Sequence, residues 1–274
     1  MALLDEQPDD EPEPVLPVPE PVRCWRCERL EVPRAGRCPK CGARVAASEP
    51  RRRRSSSRRP AHAEPNPLKP MLVVYAVMLA LSVVWGWMLM AGGAKMSPDA
   101  VTAGTAVLGI LDGILVLVGI GVVGWTPLPG REDSTRAAAW LIAWPALALL
   151  LGLNLLYFEM LREYLGVPRG KALGGMQLDV VTILLVCVQP SIVEELFFRY
   201  LALGVLFRVT GLHTAVVVSS VMFAMIHIYN PIGTPYLFVA GVAFGYARVY
   251  GGLALPMALH FVHNFAVTAI EVAR

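Results

Sequence analysis

Charge is scarce over most of this chain. Its 274 residues include 24 Lys+Arg and 21 Asp+Glu, yet the 204 residues after Pro70 hold only 10 of each sign. An ordinary soluble domain is about one-quarter charged, so a single soluble globular domain is excluded. No basic face is available in that region, which argues against nucleic acid as a partner. Cysteine is equally sparse there. Four of the 5 cysteines fall between residues 24 and 41, leaving Cys187 alone downstream. One such thiol reads as a small core residue and makes no case for a cysteine protease. The His-Glu-x-x-His spacing, which sets two zinc ligands and a base on one helix, is absent. A repeat of fixed period, common among transporters, is absent too.

The first 22 residues lack aromatics and any apolar run. Pro8, Pro12, Pro14, Pro17, Pro19 and Pro21 stand there among seven acidic residues. Such a segment buries too little surface to offset chain entropy, so residues 1–22 read as a disordered, acidic, proline-rich arm. It also lacks the basic start and apolar stretch of a signal peptide, so the N-terminus is expected to be retained.

The next stretch is rich in a different chemistry. Cys24-Trp-Arg-Cys27 is separated by ten residues from Cys38-Pro-Lys-Cys41-Gly42. Two Cys-x-x-Cys knuckles offer four thiolates to a tetrahedral, closed Zn²⁺ site, a zinc ribbon over residues 23–45. Two disulfides are the alternative. Saturated by four sulfurs, the metal would be structural and open no catalytic position. Reduced zinc thiolates favour a cytosolic location for this end. Residues 46–70 form a linker, with Arg51–Arg54, Ser55–Ser57, Arg58 and Arg59 followed by four prolines. A basic run just before an apolar span reads as a positive-inside anchor on anionic lipid.

From residue 71 to 274 the sequence reads as a transmembrane helical domain. Met71 to Gly93 is 23 residues without a charge. At 1.5 Å per residue it covers a hydrocarbon core of about 30 Å. Comparable spans occupy about 100–124, 137–158, 178–207, 213–229, 232–248 and 253–273. The fold class is therefore an all-α polytopic membrane protein of about seven transmembrane helices, preceded by the ribbon and disordered linkers. Pro190 is expected to kink the fourth span. Gly241 and Gly245 give the sixth a small-xxx-small face for close packing.

Ionisable groups inside spans cost about 2.5–3.5 kcal/mol each on insertion scales, so each needs a reason. They cluster. The fourth span carries Glu194, Glu195 and Arg199, the fifth His227, and the seventh His260, His263 and Asn264. Asp112 stands alone on the second, and Asp179 near a boundary. Glu195 and Arg199 are i and i+4 with the acid first, the favourable order for an intrahelical pair. Glu194 is turned about 100° from Glu195 and faces elsewhere. His260 and Asn264 share one face, one turn apart. Counted at 1.5 Å per residue from the inner ends, Glu194 and His227 lie about 20 Å deep, and His260 and Asn264 about 10 and 16 Å. Three helices thus carry polar groups to overlapping depths.

Glu194-Glu195-Leu-Phe-Phe-Arg199 fits EExxxR, Phe223-Ala-Met-Ile-His227 fits FxxxH, and His260-Phe-Val-His-Asn264 fits HxxxN. In that order on successive hydrophobic helices, these motifs resemble the CPBP (Abi, CAAX-type) family of intramembrane proteases, over about 178–274. Asn230 and Gly251-Gly252-Leu253 are further similar features, and the ribbon is an addition to that core. Tyr200 stands where many relatives have glycine.

The resemblance implies a glutamate-dependent endopeptidase with no metal at its membrane site. In it Glu194 and His227 polarise a water, and His260 and Asn264 stabilise the oxyanion. Glu195 and Arg199 hold the helix, and Phe223 packs behind His227. Its expected partners are the bilayer and a membrane protein, peptide or lipidated peptide substrate, with a cytosolic protein on the ribbon. The expected location is a prokaryotic plasma membrane with the N-terminus cytoplasmic. Three rivals remain: a metalloprotease using His227, His260 and a Glu; a proton-coupled transporter; and a non-catalytic adaptor using the ribbon for protein binding.

Overall fold

A computed structural model describes residues 21–25, 27, 29–40, 43–44, 66–92, 96–124, 126, 128, 132–166, 177–228 and 231–273. The acidic arm up to residue 20, Cys41, the linker over 45–65, and Asn230 lie outside the described residues. The chain divides into two compact units, Met1–Arg58 and Arg59–Arg274.

In the first unit, β1 (Val22–Arg23) pairs antiparallel with β2 (Leu30–Glu31), Val22 opposite Glu31. The same hydrogen bond closes both cysteine turns: Cys24 N–H donates to Arg29 O and Cys38 N–H to Ala43 O, each at 2.8 Å. Between them Arg34 and Arg37 exchange two backbone hydrogen bonds of 2.9 Å around Ala35 (φ 48°) and Gly36 (φ 70°). Positive φ at both central residues is the geometry of a tight two-residue hairpin turn.

The second unit is helical. It contains α1 (Leu68–Gly92), α2 (Pro98–Val123), α3 (Asp133–Leu165), α4 (Val180–Thr210), α5 (Leu212–Met225), α6 (Thr234–Gly251) and α7 (Ala254–Ala273). These correspond to the seven spans expected from the sequence. Five of them, α1 to α4 and α7, are long and apolar enough to cross a membrane. The protein is an integral membrane protein. Their outward faces carry apolar residues such as Val73, Trp87, Leu141 and Leu149, which suits a hydrocarbon surround. α5 and α6 are shorter. At 14 residues α5 rises about 21 Å, less than a hydrocarbon core, and then breaks into a turn at Ile226. Non-helical backbone at such depth is tolerated where it is buried in protein or lines a wet cavity, and His227 sits in that turn beside one.

Capping residues fix the helix starts. Ser97 Oγ accepts from Ala100 N–H ahead of Pro98, and Asp179 accepts from Thr182 N–H at 2.7 Å. The latter bond holds the Asp179 carboxyl below the usual carboxylate range. At the other end Gly252, with φ 85°, turns the chain from α6 into α7.

α4 is the axis of the bundle, with Phe197, Phe198 and Leu201 fully buried in the main core. It continues through Pro190 and widens on either side of it. Two segments, Ile183–Val188 and Leu196–Ala202, have π-helical pairing, with Gln189 N–H bonding Leu184 O and Leu203 N–H bonding Phe198 O. Each such bulge inserts a residue into the turn and rotates the residues beyond it, and bulges of this kind recur at functional sites. Glu194 and Glu195 lie between the two. α6 packs on α5 through its glycines: a Cβ at Gly241 would meet Ser220 Cβ at 3.0 Å, and one at Gly245 would meet Val216 Cγ1 at 2.9 Å. That contact brings α6 under Arg199, whose Nη2 reaches toward Gly241 O at 3.5 Å.

Candidate active site

A cavity of about 860 Å³ opens among α1, α2, α4, α6 and α7. Glu194, His227, His260, Asn264 and Asp112 line it. Glu194 is one-fifth exposed and sits between two imidazoles. Its Oε1 is 4.0 Å from His227 Nε2, and its Oε2 is 4.0 Å from His260 Nε2. Both distances exceed a direct hydrogen bond, and a separation of this kind asks for a water between the groups. Glu194 Oε2 is buried without a hydrogen-bond partner, as is Oδ1 of Asp112. Orphaned acceptors at a cavity wall mark where solvent or substrate supplies the missing donor.

The far nitrogen of each ring fixes its tautomer. His227 Nδ1 lies 3.0 Å from Phe223 O, and His260 Nδ1 lies 2.9 Å from Glu195 Oε1. Carbonyl and carboxylate oxygens only accept, so both Nδ1 atoms carry hydrogen. In the neutral rings both Nε2 atoms are therefore lone-pair acceptors turned toward Glu194. Aromatic packing holds them there. Phe244 stacks on His260 with centroids 5.3 Å apart, and Phe223 meets it edge-on at 5.9 Å. Phe223 also contacts His227 at 5.3 Å.

Behind His260 stands a buried ion pair. Glu195 and Arg199 are 0% and 1% exposed, with Arg199 Nε 3.1 Å from Glu195 Oε2. The contact is close but not aligned as a hydrogen bond, so it is mainly Coulombic. Arg199 Nη1 has no acceptor. The guanidinium lies 4.4 Å over the Phe223 ring, with Phe198 and Phe244 within 5.8 Å. A desolvated cation on aromatic faces gains about 2 kcal/mol, which offsets part of the missing bond. Arg199, Glu195 and His260 thus form one chain across α4 and α7.

Asn264 is held differently from the sequence expectation of an amide aimed with His260 at a single point. Its Nδ2 donates to Val186 O at 3.0 Å. Pro190, four residues on, has no N–H to give that carbonyl. The asparagine replaces the lost helical bond and keeps its second N–H. His263 Nδ1 lies 3.1 Å from Asn264 Oδ1, and its Nε2 lies 2.5 Å from Tyr236 OH. His263 therefore braces Asn264.

Two links escaped the sequence reading: the Glu195–His260 bond, and Gln189, whose amide donates to Gly109 O at 3.2 Å and lines the cavity wall. Gln189 and Glu195 both lie between the π segments, for which a hydrophobic pattern carries no signal.

Three donor atoms all within 4.8 Å of one another, as a metal needs, are met among the described residues by Cys24, Cys27 and Cys38. Cys27 and Cys38 sulfurs are 3.7 Å apart. Two thiolates each about 2.3 Å from a tetrahedral ion would lie about 3.8 Å apart, so the spacing of this pair is that of two ligands on one metal ion. Trp25 closes the cluster by donating its indole N–H to Arg44 O at 2.9 Å.

Residues 176–266 match the family model of the Rce1-like proteins, described as type II CAAX prenyl endopeptidase Rce1-like. No curated protein and no solved structure matches the chain. The matched stretch contains Glu194, Glu195, Arg199, Phe223, His227, His260 and Asn264 and takes in α4 to α6 with most of α7. Over this segment, about a third of the chain, the protein is similar to the CPBP/CAAX family of intramembrane proteases.

Proposed function

We propose that the protein is an intramembrane endopeptidase that hydrolyses a peptide bond of a membrane-associated substrate with a water activated by Glu194 and His227. The reading is carried by one observation: the Glu194 carboxylate stands 4.0 Å from Nε2 of His227 and of His260, on three different elements, beside a polar-lined cavity.

A water in that gap donates one O–H to Glu194 and the other to the neutral Nε2 of His227. As its oxygen attacks the scissile carbonyl, Glu194 takes the proton. The C–O bond forms, and the carbonyl oxygen becomes an oxyanion. His260, held through Nδ1 by Glu195, turns Nε2 to the cavity and donates to the oxyanion when that nitrogen carries a proton, and the spare N–H of Asn264 is the second donor. One such donor is worth about 2.7–4 kcal/mol, because it is preorganised and shielded from water. Collapse of the oxyanion breaks the C–N bond, and the proton on Glu194 passes to the leaving amine. No covalent acyl-enzyme forms, and no metal takes part. Glu195 and Arg199 position His260 and do not meet substrate.

In the ribbon, Cys24, Cys27 and Cys38, together with Cys41, would hold a structural zinc, leaving this unit free to bind a cytosolic protein. The basic run at Arg51–Arg59 supports a cytoplasmic N-terminus. Comparative membrane proteomics of wild type against Glu194→Gln tests the reading. Fragments of membrane proteins that disappear in the variant are expected; an unchanged fragment set with intact variant protein would favour the adaptor. Chelation tests the rival metalloprotease: activity of a Cys24→Ser variant, lost to chelator and restored by Zn²⁺, would overturn the metal-free mechanism.

A further inference from the structure

A second cavity lies away from Glu194. It is a groove of about 390 Å³ between α3, α6 and the start of α7. Small residues form its floor, Ala138, Ala143 and Ala146 from α3 and Ala247 from α6, and Leu147 and Leu255 wall it. Almost nothing in it is polar. The small side chains on two facing helices leave a slot where larger ones would have interdigitated. Its lining reaches Thr135 in the first turn of α3 and Tyr250 in the last turn of α6.

At that same end stand two guanidiniums. Arg136 follows Thr135, and Arg248 follows Ala247. Arg136 Nη2 comes within 4.0 Å of the place a Cβ would take on Gly252, whose N–H bonds Arg248 O at 3.2 Å. The two charges are near enough to repel each other. Arg248 commits its Nε to Arg199 O at 3.3 Å, which leaves its terminal nitrogens. Among the described residues, no carboxylate forms an ion pair with either arginine, although Glu132 and Asp133 begin the same turn of α3. Two unneutralised cations side by side are unfavourable unless an anion joins them. An anion with a long apolar appendage would fill both the cation pair and the slot.

We infer that the groove between α3 and α6 is a binding site for an anionic glycerophospholipid, its phosphate between Arg136 and Arg248 and one acyl chain along Ala138, Ala143 and Ala247. Basic pockets between membrane helices hold lipid head groups in this way. The bilayer supplies the ligand at high local concentration, so modest contacts suffice for occupancy. Phe244 borders both the groove and the cavity of Glu194, and its ring stacks on His260. A bound acyl chain therefore lies one aromatic ring from the imidazole.

The test is native mass spectrometry of the full-length protein in detergent, titrated with phosphatidylglycerol or with phosphatidylcholine of the same chains. Retention of phosphatidylglycerol at about tenfold lower lipid concentration than phosphatidylcholine is expected. Arg136→Gln should remove that preference; Arg136 is exposed, so this variant should fold. Ala143→Leu, which fills the slot and leaves both arginines, should weaken both lipids. Glycerol phosphate, a head group without chains, should not displace the bound lipid. Equal retention of the two lipids, an unchanged preference in Arg136→Gln, or displacement by glycerol phosphate would overturn the assignment. The readout is bound lipid mass, so it stands apart from whether the protein cleaves peptides.

Discussion

Replacing Glu195 by Gln separates its two tasks, neutralising Arg199 and orienting His260. The substitution keeps the shape and removes the charge. Arg199 is then buried at 1% exposure with no counter-ion within 4 Å among the described residues. Breaking a buried pair from one side costs about 3–5 kcal/mol. The ring contacts of Arg199 with Phe223, Phe244 and Phe198 are present before and after the substitution, so they leave that cost unchanged. At the same time His260 Nδ1–H loses its carboxylate acceptor.

A second substitution divides the effects. Glu195→Gln with Arg199→Met removes the stranded cation, so thermal unfolding in detergent should return most of the way to wild type. Cleavage should stay depressed by about 10²–10³, the loss seen when one oxyanion donor fails. Recovery of cleavage in the double variant would show that Glu195 only neutralises Arg199. Wild-type unfolding and cleavage in Glu195→Gln alone would refute the whole chain from Arg199 to His260.

Asn264→Leu should lower stability by about 1–3 kcal/mol by leaving Val186 O without a donor. In a Pro190→Ala background residue 190 regains its N–H, so the same substitution should cost less, a coupling that a double-mutant cycle of melting curves reads. Gly204→Ala puts a Cβ 2.6 Å from Thr126 O and should destabilise by about 1–3 kcal/mol in the same assay. Cys24→Ser should remove bound zinc from the full-length protein, as elemental analysis per mole of protein would show. Ala35→Asn, at φ 48°, should make zinc harder to extract by a competing chelator, since Asn tolerates the left-handed turn better than Ala.

The helices were legible because a bilayer demands long uncharged runs, and Met71 to Gly92 or Ala254 to Ile270 supply them. The end of α5 was not. The apolar pattern runs on to residue 229, while the chain turns at Ile226, because His227 and the backbone around it face a cavity that a sequence does not display. Pro190 was legible as a disturbance, but the donor that makes good its missing bond was not. A proline can kink a helix or widen it, and here Asn264, reaching across from α7, supplies the carbonyl's missing donor. Glu195 and Arg199 were readable as a pair from their spacing alone. Their extension to His260 spans 65 residues and depends on two π segments, which hydrophobic periodicity does not encode. Asp112, with its orphaned Oδ1 on the cavity wall, was visible in sequence only as an isolated charge in a span.

Hydrolysis of a membrane-associated peptide by the purified protein in ¹⁸O-labelled water, followed by mass spectrometry of both peptide and protein, tests the water-attack claim most directly. One labelled oxygen in the new carboxylate is expected, with no mass adduct on the protein when hydroxylamine-sensitive intermediates are sought and no cleavage by Glu194→Gln. A peptide adduct on the protein, or cleavage by Glu194→Gln at the wild-type rate, would contradict it.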